Sequence, residues 1–114
     1  MAAQTFAETT RVGLFGTRYE KKVSLSSATT SDEILVPAGV KGVNCTISFA
    51  NTATAKLQYT NSTLADVDAG SAVWIDKASE GSSNVALYLD ACTAFRLNVT
   101  AWTSGAVTLS AVAQ

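Results

Sequence analysis

The chain contains no histidine. That absence removes the side chain that changes charge between about pH 5 and 8, and with it Ser-His-Asp and Cys-His nucleophiles and most zinc sites. Charged residues are only 15% of the whole and the net charge is −1. Bulk attraction to nucleic acid or to an anionic membrane therefore has no basis in the composition. No apolar run approaches the roughly 18–20 residues that span a bilayer. The first residues, MAAQTFAETTR, lack a basic stretch followed by an apolar one, so no secretory signal is expected and synthesis in the cytosol is. Cys45 and Cys92 are the only cysteines. A disulfide between them stays open on sequence grounds, but without a secretion signal two reduced, mostly buried thiols are expected. Two cysteines so far apart do not make a metal-ligand set, and the glycines form neither a GxGxxG nor a Walker motif.

What is present is alternation. At 114 residues the chain has room for one modest core, and 47% hydrophobic content, much of it Ala and Val, argues against disorder. From Val43 to Phe49 apolar Val43, Cys45, Ile47 and Phe49 alternate with Asn44, Thr46 and Ser48, the period of a half-buried strand. Asn51 to Thr54 reads as a polar turn, after which Ala55, Leu57 and Tyr59 resume the pattern. This pair is expected to form a central hairpin. Further strands are read at Val23 and Leu25, at Glu33–Val36 ending on Pro37, and at Ala72–Ile75. Three more follow, at Val85–Leu89, at Phe95–Ala101 and at Val107–Ala111. Pro37-Ala-Gly39 is a turn signal. The stretch from Asn61 to Gly70 reads as a loop, and no helix is expected.

About eight short strands with turn signals every ten residues or so predict an all-β, antiparallel β-sandwich, jelly-roll or immunoglobulin-like in topology. The predicted organisation is an extended N-terminal arm over residues 1–22 and a sandwich over 23–114. The arm holds four basic and two acidic side chains, net +2; the body holds four basic and seven acidic, net −3. Phe6, Val12, Leu14, Phe15 and Tyr19 are scattered along the arm without a pattern of their own. They need a surface to bury against, either the body or a neighbouring subunit.

Carboxylates are the remaining chemistry. Asp66 and Asp68 lie two apart, and Asp32 and Glu33 are adjacent. Asp in such loops ordinarily bonds nearby amides, and too few oxygen ligands are spaced for calcium. No catalytic, cofactor or metal site is assigned. Trp74, Tyr88 and Trp102 are candidate sugar-stacking residues, with core or sheet-edge packing the plainer reading.

The run ILVPAGVKGVNCTISFANTATAKLQYTNST, then AVWID, then AFRLNVTAWTSGAVTLSAVAQ resembles small β-sandwich virion proteins of tailed bacteriophages. The likeness covers about Ile34 to Gln114 and rests on turn placement and composition. It implies a capsid decoration, or cement, protein on the virion surface, made in the host cytoplasm. Such a protein binds the phage major capsid protein as a homodimer or homotrimer, without nucleic acid, membrane or cofactor. The alternative is a head-fibre or tail adhesin, or a carbohydrate-binding module. On the decoration reading, Phe6, Arg11, Phe15, Arg18 and Tyr19 of the arm are the candidate capsid contacts, because interfaces favour Arg and aromatic residues.

Overall fold

The computed structural model describes residues 4–5, 7–10 and 17–114, with side chains from residue 19 on. Among the described residues there are ten strands and one short helix. The strands are β1 (Gln4–Thr5), β2 (Ala7–Thr10), β3 (Thr17–Leu25), β4 (Ile34–Leu35), β5 (Gly42–Phe49) and β6 (Ala53–Thr60). After helix α1 (Leu64–Ala69) come β7 (Ile75–Asp76), β8 (Val85–Asp90), β9 (Ala94–Trp102) and β10 (Val107–Ala113).

They form two sheets, in the orders β1-β4-β9-β6-β7 and β2-β3-β10-β5-β8. Apart from the parallel β1–β4 pair, all pairings are antiparallel. From β4 onward, each strand lies in the opposite sheet from its predecessor, except that β6 and β7 are joined within one sheet through α1. An immunoglobulin sandwich keeps several consecutive strands as hairpins within a sheet. The order seen here is that of a jelly roll, eight strands in two sheets of four, with β1 and β2 added at one edge.

The alternation explains the core. Val43, Cys45 and Ile47 of β5, Leu97 and Val99 of β9, and Val107, Leu109, Ala111 and Ala113 of β10 turn inward and are buried. Phe95 is the largest fully buried side chain.

Three expectations are corrected. The stretch read as a central hairpin is an arch, because β5 pairs with β10 and β8 whereas β6 pairs with β9 and β7. Alternation tells which side chains face inward and leaves the partner strand open. A helix does occur: Thr63 caps α1 by accepting from the Asp66 amide, and Gly70 closes it with φ of 75°. Six residues are too few for a helical stripe to register. Finally, β3 begins at Thr17, so the last residues of the expected arm are already part of a sheet.

Candidate functional site

The outer face of the β4-β9-β6-β7 sheet carries a lateral row of polar side chains. The pairings Gln58↔Arg96 and Gln58↔Asp76 align three of them. Glu33 lies one step beyond the Ile34↔Phe95 pair, which sets it beside Arg96. Arg96 Nε donates to Gln58 Oε1 at 2.9 Å, and Gln58 Nε2 donates to Asp76 Oδ1 at 2.9 Å. Lys56 Nζ reaches Asp76 Oδ2 at 3.1 Å, and the guanidinium of Arg96 lies 4.2 Å from the centroid of the Trp74 ring. A planar guanidinium on an indole face is a favourable cation–π contact.

The electrostatics follow from this packing. Hydrogen bonds from Gln58 and then Lys56 hold the Asp76 carboxyl below its ordinary range. Partial burial lowers Arg96, with Glu33 opposing the shift. Glu33 is 9% exposed, and its Oε2 has no hydrogen-bond partner among the described residues.

Beside this row lies an apolar segment. Val73 and Ile75, 69% and 44% exposed, flank half-buried Trp74 along the chain, and Leu64 at the start of α1 is 52% exposed. Ser62 Oγ accepts from the Val73 amide at 3.0 Å, which ties the segment back to the end of β6.

A second feature is a cleft of about 310 Å³ between the sheets at the β7–β8 edge. Ile47, Phe49, Ala55, Leu57, Val85 and Leu87 line it, with serines of the 77–84 connection at its rim. It exists because β7 is only two residues long while β8 runs for six. The inner face of β8 is therefore buried at Leu89, half-buried at Leu87 and 41% exposed at Val85. The connection Lys77–Asn84 has no large apolar side chain with which to close the gap.

The three aromatic candidates do not share a surface. Trp74 sits over Arg96 on one sheet. Tyr88 is exposed on the other, its hydroxyl directed to the Lys41 carbonyl at 3.5 Å. Trp102 lies at the β9–β10 arch, where Nε1 donates to the Gly105 carbonyl at 2.7 Å. Of the arm candidates, Tyr19 is half-buried and packs against the core, so only part of it can meet a partner. Arg18 lies in β3 opposite Thr9, while Phe6, Arg11 and Phe15 lie outside the described residues. Arg96, Gln58 and Asp76 escaped the sequence reading. Polar residues alternating along a strand signal only an outward face.

The other sequence candidates stay apart. Asp66 is in the first turn of α1, where its Oδ1 accepts from Ser71 Oγ at 3.4 Å. Among the described residues no group of three or more His, Cys, Asp or Glu is placed to hold a metal ion. Both cysteines are free thiols, Cys45 buried and Cys92 half-buried. Among known proteins, no family model matches the chain and no curated sequence matches it significantly.

Proposed function

We propose that this chain is a non-catalytic structural protein of a tailed-phage virion: a decoration protein that binds the outside of the major capsid shell and bridges neighbouring capsomers. The observation that carries this reading is the pair of exposed apolar residues Val73 and Ile75 on either side of Trp74, itself stacked with Arg96. Single exposed apolar residues are ordinary, but a group of them bordered by Trp and Arg has the composition of a protein interface. The phage-like run from Ile34 to Gln114 supplies the identity of the partner by resemblance. Jelly rolls serve in viral capsid and lectin domains alike, so the fold supports the reading only by analogy.

The mechanism is energetic rather than chemical. Each copy buries surface on more than one capsid subunit, and a homodimer or homotrimer makes the later contacts intramolecular, so many weak contacts add as avidity. The sugar-binding alternative is less favoured, because one face of Trp74 is already covered by Arg96 and the three aromatics lie on different surfaces.

Co-sedimentation with expanded capsid shells tests the proposal. Saturable binding in a fixed ratio to capsid protein is expected, weakened more than about tenfold by Val73→Asp with Ile75→Asp, as for loss of interface hot spots. Absence of binding by the unaltered protein overturns the decoration reading and makes a glycan screen with Trp102→Ala the next step.

A further inference from the structure

We infer that the outer edge of β8 docks β8 of a second copy. The two strands pair antiparallel about a two-fold axis and join two five-stranded sheets into one of ten strands.

Four strands stand at the ends of the two sheets, and three of them are short. β1 and β7 have two residues each and β2 has four. β8 has six and pairs with β5 over its whole length without a register shift. Natural edges are guarded by lysine, proline, a bulge or a covering loop. β8 reads Val-Ala-Leu-Tyr-Leu-Asp, with neither lysine nor proline, and its one charge stands at the end. The flanking connections do not cover it. Gly81 bridges Ala55 of β6, and the Thr93 amide donates to the Thr60 carbonyl, so the chain enters and leaves β8 from the other sheet. Ala86, Tyr88 and Asp90 are exposed.

Hydrogen-bond parity identifies the backbone groups that stand free. The Phe49 amide donates to Asn84 Oδ1 at 2.8 Å, on the β8 side of β5. The Ala50 amide donates to the Ala106 carbonyl, on the β10 side. Backbone groups alternate in direction along a strand, so Val43, Cys45 and Ile47 bond to Leu89, Leu87 and Val85. The amides and carbonyls of Ala86, Tyr88 and Asp90 therefore point away from β5. Among the described residues no strand pairs with them there. Such a row accepts an extended strand.

β8 is its own complement. A two-fold axis at Tyr88 sets Tyr88 opposite Tyr88 of the second copy and Ala86 opposite its Asp90. All three outward residues of each strand then form bonded pairs. An axis at Leu87 would instead leave Asp90 facing Asn84, outside the strand. Charge favours the antiparallel arrangement. It holds the two Asp90 carboxylates four residues apart, about 14 Å along the sheet, beyond the screening length of about 8 Å in physiological salt. Parallel strands in register would set them side by side. Tyr88 leaves the approach open. Its ring leans back over Gly42, where an added Cβ would collide with it, and its hydroxyl is directed to the Lys41 carbonyl. This pairing goes beyond shell binding and is measured without capsids, so its failure would leave the shell-binding reading to its own test.

The experiment is sedimentation of the full chain alone, over a range of concentrations, with Ala86→Pro, Tyr88→Lys and Ala86→Lys. The unaltered protein is expected to form a dimer. Ala86→Pro removes, twice per dimer, an amide that points to the free side of β8. Tyr88→Lys places two ammonium groups opposite each other. Each should weaken dimerisation more than about tenfold. Ala86→Lys sets an ammonium opposite Asp90 of the second copy and should keep the dimer, more tightly as salt is lowered. Circular dichroism spectra should be unchanged throughout, since neither residue belongs to the buried cluster. A monomeric or trimeric unaltered protein overturns the inference. So does undiminished association of Ala86→Pro or Tyr88→Lys, or loss of the dimer in Ala86→Lys.

Discussion

Burial pushes the Cys45 thiol up to about 12, with nearby Cys92 adding to the effect, and burial alone pushes Cys92 up to about 11. Thiols held neutral in this way are poor nucleophiles at neutral pH, which makes both residues packing groups. An unfolded chain releases these protons near the ordinary value of 9.0. Their contribution to stability is therefore complete below that pH and is lost as pH climbs through the folded values. The urea midpoint should fall more steeply between about pH 9 and 12 in the unaltered protein than in Cys45→Ala with Cys92→Ala. Parallel curves would show that the thiols carry no such linkage. Residue-scale reading of the sequence singled out Trp74 as a candidate stacking residue, with core or sheet-edge packing the plainer reading. It could not find Arg96 beneath it, because the pairing of β6 with β9 and β7 is what brings them together.

The elements were legible where they alternate. β5, β8, β9 and β10 were read close to their observed extents because inward and outward residues differ in polarity. Trp74 was assigned to a strand that in fact begins at Ile75, and two-residue β7 is too short to leave a pattern. The β5–β6 arch was misread as a hairpin for want of any signal of the partner. In space the β5–β6 and β9–β10 arches lock together. The Ala50 amide donates to the Ala106 carbonyl at 3.0 Å, and the Thr103 and Ser104 amides donate to the Thr52 carbonyl at 3.0 and 3.1 Å. Gly105 makes this possible. Its φ is 80°, and an added Cβ would lie 2.7 Å from the backbone nitrogen and Cβ of Asn51. Gly105→Ala should cost about 1–3 kcal/mol in equilibrium denaturation. A loss no greater than a few tenths would mean that the arches can separate cheaply.

At the scale of the whole molecule, the all-β class and the two packed sheets followed from strand number and spacing, while the jelly-roll order needed the pairings. That order buries β9, β6, β10 and β5 in the middle of their sheets and leaves α1 and residues 77–84 at the periphery. Native-state hydrogen exchange should find the slowest amides in β5, β9 and β10, opening only with global unfolding. Amides of α1 should exchange orders of magnitude faster; uniform protection across both would contradict a peripheral helix. The same order bears on biosynthesis. β10 is inserted between β3 and β5, and β9 between β4 and β6, so each sheet lacks a middle strand until the end of the domain has been made. While the ribosome still holds residues 94–113, β5–β8 and β6–β7 are the pairs open to strands β3 to β8, and neither sheet can close. Nascent chains must wait in that state, and folding is a single late event that follows translation of the domain rather than accompanying it.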